Sequence, residues 1–99
     1  MSNRNILTIS PLALTWYEDN EGVVIVENYY NKRKVFLDEQ ELSTLWKIII
    51  ENSDYQKIEE NFCSLWSRED FKRCLNLLKR AGIIKINFTK EGSNEGAKS

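Results

Sequence analysis

The spacing of apolar residues along the chain changes character near Leu37. From Leu12 to Tyr17 (LALTWY), Leu12, Leu14 and Trp16 alternate with smaller or polar residues, and Val23 to Asn28 (VVIVEN) opens on a β-branched run. Text of this kind, rich in Val, Ile and aromatic residues, predicts strands. Between the two lies Glu18-Asp-Asn-Glu-Gly22, a cluster of turn formers, so the pair is expected to form a hairpin. Tyr30-Asn-Lys-Arg33 makes a second turn and Lys34-Val-Phe-Leu37 a short third strand, completing an antiparallel meander.

Beyond Leu37 the apolar period lengthens to that of a helix. Asp38 stands three residues before Glu41 in a capping-box arrangement, with Leu37 placed to staple onto Leu42. Leu42, Leu45, Trp46, Ile48, Ile49 and Ile50 sweep an arc of about 200° on a helical wheel, which predicts a central, heavily covered helix. Ser53 or Asp54 caps a shorter helix through about Cys63, with Tyr55, Ile58 and Phe62 as its buried stripe. Ser67-x-x-Asp70 opens a third helix with Trp66 and Phe71 as its staple; Gly82 closes it, and Ile83 can reach back to Leu78. The predicted fold class is α+β and winged-helix-like: a three-stranded antiparallel sheet followed by three helices. Residues 1–10 are polar and irregular and end in the Ser10-Pro11 break, so they predict a flexible N-terminus ahead of an ordered domain at 11–88. Thr89–Ser99 (TKEGSNEGAKS) has the composition of a disordered tail.

Size and charge narrow the possible functions. A chain of 99 residues supports one domain with a core and a groove, not a large catalytic cavity. With 14 Lys and Arg against 15 Asp and Glu the net charge is -1, which exerts no overall pull on nucleic acid or anionic lipid. No apolar run reaches the length of a signal peptide or a membrane span, so a cytoplasmic location is predicted. Cys63 and Cys74 are the only cysteines and there is no histidine, so no metal set is expected and both are predicted to be buried free thiols. The glycines Gly22, Gly82, Gly92 and Gly96 fall at a turn, a helix end and the tail, and build no phosphate loop. The close acidic pairs Asp19/Glu21 and Glu59/Glu60 lie on predicted solvated surface, where nothing would tune them for acid–base work. The chain is therefore expected not to be an enzyme and to carry no cofactor.

Binding chemistry is concentrated on the third helix. Phe71, Cys74, Leu75, Leu78 and Ala81 fill a core arc of about 120°, while Leu77 falls outside it beside Arg73 and Arg80. An apolar residue between two guanidinium groups suits an amphipathic or acidic peptide; it is equally an ordinary helix border on which arginine stems cover apolar surface. Arg68, Lys72 and Lys79 form a basic stripe on the other border, either a solvated face or a site.

The text TWYEDNEGVVIVENYYNKRKVFLD followed by FKRCLNLLKRAGI resembles the PqqD-like peptide chaperones, the RiPP recognition elements that bind leader peptides of ribosomally synthesised, post-translationally modified peptides. The resemblance runs from about Leu12 to Ile86 and lies in element order, spacing and the leucine-rich last helix. SPLxLxW before the first hairpin and ENYxxxRKVxL across the second turn are closest in style to versions found with azole-forming or dehydrogenase-type maturases. It implies a leader peptide that adds as an antiparallel strand to the edge of strand three and lies in the groove against helix three, for presentation to a modifying maturase. Topologically this maps Arg33, Lys34, Val35 and Phe36 onto the edge strand and Arg73, Leu77 and Arg80 onto the helix. No nucleic-acid or membrane partner is expected.

Two rival readings remain. A winged-helix regulator would place Lys72, Arg73, Lys79 and Arg80 in a DNA groove, against which stand the net charge, the missing second basic arm and strands that precede the helices. A docking subunit would use Trp16, Tyr17, Tyr29 and Tyr30 to sit on an enzyme, a role compatible with peptide binding.

Overall fold

A computed structural model describes residues 4–91. The elements are β1 (Arg4–Pro11), β2 (Ala13–Glu18), β3 (Val24–Asn28), β4 (Lys34–Leu37), α1 (Gln40–Glu51), α2 (Tyr55–Cys63), α3 (Arg68–Arg80) and β5 (Ile84–Glu91). The architecture is α+β, with an antiparallel sheet in the order β2-β3-β4 followed by three helices and a second, two-stranded sheet of β1 and β5.

Local chemistry closes the hairpins. In the β2–β3 loop the Asp19 carboxylate accepts from the backbone N–H of Glu21 and of Val23, both at 2.9 Å, and Gly22 takes φ +86°. The next turn is organised by Asn28, whose Oδ1 accepts from Tyr30 and Asn31 N–H at 2.7 and 3.2 Å, while Lys32 adopts φ 61°. Asp54 and Ser67 cap α2 and α3 by accepting from Gln56 and Asp70 N–H. Gly82, at φ 77°, ends α3, and Ile83 N–H reaches back to the Leu78 carbonyl at 3.3 Å, a Schellman-type closure.

Three local expectations are corrected. Residues 4–11 are strand β1, paired with β5 from Arg4↔Glu91 to Pro11↔Ile84, so the segment expected to be irregular is part of a sheet and Pro11 ends a strand. The start of the expected tail, 89–91, belongs to β5; the rest of it, 92–99, and residues 1–3 lie outside the described residues. At α1 the capping box is absent: Glu39 is the N-cap and makes no side-chain cap bond, because its carboxylate is taken by Arg73 at 3.1 Å. At the start of α3, Phe62 stacks on Trp66 at 5.1 Å and touches Phe71 at 5.7 Å between centroids.

The core joins one face of the sheet to all three helices. Val24, Val26 and Leu37 meet Leu42, Leu45, Trp46 and Ile49 of α1, Ile58 and Phe62 of α2, and Phe71, Cys74, Leu75 and Leu78 of α3. Ile9 and Ile84, one from each strand of the second sheet, bring that ribbon into the same cluster. Each fully buried large side chain contributes on the order of 2 kcal/mol. No helix among the described residues is long and apolar enough to cross a membrane.

Candidate functional site

β4 is the edge of its sheet, and its hydrogen-bond phase fixes what that edge offers. Asn28 N–H donates to the Arg33 carbonyl at 2.8 Å, and the register continues as Glu27↔Lys34, Val26↔Val35, Ile25↔Phe36 and Val24↔Leu37. In an antiparallel ladder, hydrogen-bonded and non-hydrogen-bonded pairs alternate. Val35 and Leu37 therefore turn their N–H and C=O groups toward β3, as Arg33 does its C=O alone, whereas those of Lys34 and Phe36 point to the open edge. The opposite edge, β2, carries a bulge between Ala13 and Trp16, a device that spoils strand addition; β4 has neither bulge nor proline, and is guarded by its shortness and by lysine and arginine.

Alternation also divides the side chains. Val35 and Leu37 face the helices, Val35 half-buried against the core and Leu37 within it. Lys34 and Phe36 face away, sharing the outer side of the sheet with Tyr17 and Ile25. There the Lys34 ammonium sits 5.9 Å from the centre of the Tyr17 ring and Phe36 is 60% exposed. Ile25 is buried without belonging to the core cluster.

Two ties set α3 alongside this edge. At one end Arg73 Nη1 binds Glu39 Oε1 at 3.1 Å, just past the end of β4. At the other, Asn28 Nδ2 donates to the carbonyls of Ala81 and Gly82 at 2.8 and 3.2 Å, opposite Arg33 where β4 begins. Hence α3 runs antiparallel to β4 over about 12 Å, eight residues of helical rise. Both elements rest on α1, with little direct contact between them. Along this stretch Leu77 is 37% exposed, between the exposed residues Arg73 and Arg80.

Of the residues singled out in the sequence, Val35 is half-buried on the helix side of β4, and Arg73, Leu77 and Arg80 are exposed along α3. Lys34 and Phe36 turn their backbone groups to the open edge of β4 while their side chains lie on the outer face, and exposed Arg33 lies at the turn, its N–H held by Asn31 Oδ1 at 2.9 Å. Arg73 is not free: besides Glu39, it has Glu41 and Asp70 carboxylates at 3.9 Å. The hydrogen bond to Glu39, foremost, holds its guanidinium above the ordinary value. Arg80 makes no ion pair among the described residues and is the more available cation.

Sequence reasoning missed Asn28 and Glu39, which position the helix against the strand. The signal for Asn28 was its place at the end of a β-branched run ahead of a turn; Glu39 was hidden by the more familiar cap reading of Asp38. Cys74 is fully buried and Cys63 half-buried, both free. Burial, above all, pushes the Cys74 thiol up, with Glu41, Glu39 and Asp70 adding to the rise and Arg73 opposing it. Among the described residues no group of His, Cys, Asp and Glu is placed to hold a metal ion. The chain matches no protein-family model, no curated protein and no solved structure.

Proposed function

We propose that this domain captures the leader segment of a ribosomally synthesised precursor peptide as an added antiparallel strand on β4 and presents it to a peptide-modifying enzyme in the cytosol. The observation that carries this reading is the open edge of β4, with the backbone groups of Lys34 and Phe36 directed outward, beside a helix face on which Leu77 stands between Arg73 and Arg80. Backbone pairing supplies affinity without regard to sequence, and the flanking side chains select. Inward residues of the leader meet Val35 and Leu77; outward ones continue the row begun by Lys34 and Phe36. Acidic groups on the leader would pair with Arg80, and with Arg73 at the expense of Glu39. The domain itself performs no chemistry and carries no cofactor.

The test is titration of a fluorescently labelled leader, taken from a short peptide encoded beside this chain, followed by anisotropy. Dissociation constants in the nanomolar to micromolar range are expected, with Leu77→Glu weakening binding by roughly ten- to a hundredfold. Lys57→Glu, on the exposed side of α2, serves as the control and should change affinity less than about twofold.

The DNA-binding reading gains one observation: β5 follows α3 and pairs with β1, so a two-stranded ribbon occupies the position of a wing. Against it, Arg68 is tied to Glu59 at 3.3 Å and Arg73 to three carboxylates. Saturable binding of a duplex oligonucleotide at physiological salt, with no binding of any co-encoded peptide, would replace the peptide reading.

A further inference from the structure

On the other border of α3, against β5, lies a small cavity of about 160 Å³ lined by Lys72, Leu75, Asn76, Lys79 and Ile86. The four helix residues stand at i, i+3, i+4 and i+7, one stripe along the helix. Its floor is apolar: Leu75 is 6% exposed and Ile86 is half-buried against the core. Its two ends are cationic, and neither Lys72 nor Lys79 makes an ion pair among the described residues, unlike Arg68 and Arg73 on the same helix. Two residues beyond Ile86 on the same face of β5, Phe88 is 61% exposed and prolongs the apolar track.

We infer that this stripe docks an acidic amphipathic helix of a partner protein, with one branched aliphatic side chain in the cavity and a carboxylate on each lysine. Water in this open depression would lie on an apolar floor with few partners, so an aliphatic group displaces it favourably. Spacing selects a helix over an extended segment. Lys72 and Lys79 are about 10.5 Å apart along the axis, the separation of i and i+7 on a facing helix, with i+3 or i+4 between them for the aliphatic anchor. A strand repeats on one face every 6.7 Å or so and meets that spacing poorly. The stripe is turned by roughly 110° around α3 from the Arg73–Leu77–Arg80 face, so it can be occupied while β4 is engaged and does not depend on the peptide reading.

The probe is a synthetic alanine-based helical peptide of 14 residues, acetylated and amidated, with Glu at positions 4 and 11, Leu at 7 and 8, and a fluorescein label, titrated at low salt. Saturable binding to the parent protein is expected, weakened at least tenfold by the double variant Lys72→Glu, Lys79→Glu and by Asn76→Trp, which fills the mouth of the cavity without touching the core. The probe with lysine in place of both glutamates should recover binding to the double variant but not to Asn76→Trp. Leu77→Glu, the variant chosen to weaken leader binding, should leave probe binding within about twofold. Absence of saturable binding to the parent, or equal binding of the acidic probe to parent and charge-reversed protein, overturns the inference and leaves the β4 reading untouched.

Discussion

Asn28 makes four hydrogen bonds from one side chain that is only 5% exposed: two to carbonyls at the end of α3 and two from the turn that leads into β4. It fixes where helix and strand stand relative to each other. Asn28→Ala leaves those groups unsatisfied and should cost about 2 to 3 kcal/mol in urea unfolding; a variant as stable as the parent contradicts this role. Gly82 is tied to the same contact. A Cβ there would sit 2.8 Å from Asn28 Nδ2, on a backbone at φ +77°, so Gly82→Ala should destabilise by more than about 1 kcal/mol. Cys74 carries the pH dependence at this scale. Its folded-state value is raised, chiefly by burial, so its contribution to stability is complete below the ordinary thiol value and is lost as pH rises through the raised one. Unfolding free energy should therefore fall above about pH 8.5, and Cys74→Ala should flatten that fall although it lowers stability at neutral pH by opening a cavity. Tyr55, raised by burial and then by Glu59, adds a decline of the same sign above about pH 10. Alkylation in native buffer should modify half-buried Cys63 well before Cys74.

At the scale of elements, the open edge of β4 makes a parity prediction. An added antiparallel strand presents alternate residues to the Lys34 and Phe36 backbone groups, so N-methylation along the leader should weaken binding by tenfold or more only at every second position within the paired stretch. A uniform response would contradict strand addition. How much of this was legible in the sequence differs by element. β2, β3, β4, α2 and α3 announce themselves through turn formers, caps and apolar period, all local signals. β1 does not, and β5 reads only as a brief extended stretch from Ile83 to Phe88, because each is stabilised by a partner at the other end of the chain, Ile9 against Ile86 and Leu7 against Phe88. The alternation Leu7, Ile9 and Ile84, Ile86, Phe88 was present but short, and Pro11 looked like a break where it is a strand end. On α3, exposed Leu77 and its flanking arginines were visible on a helical wheel. The side chains of Lys34 and Phe36 went to the outer face for want of the register, and the pairing of Arg73 with Glu39 joins residues 34 positions apart that only the fold brings together.

In the described residues the β1–β5 ribbon and the β2–β4 sheet are separate surfaces around one helical core. The molecule's net charge of -1 leaves recognition to local contacts. Raising salt from about 50 to 500 mM should therefore weaken leader binding less than about tenfold, since backbone hydrogen bonds and apolar contacts dominate it; a phosphate-driven complex would lose about a thousandfold or more. The most direct measurement of the central claim is amide hydrogen exchange at single-residue resolution with and without leader. The N–H groups of Lys34 and Phe36, open in the free protein, should slow by at least about tenfold on binding, while Val35 and Leu37, already paired with β3, change far less. Saturation with leader that leaves Lys34 and Phe36 exchanging as in the free protein would contradict strand addition at β4 and place the peptide on another surface.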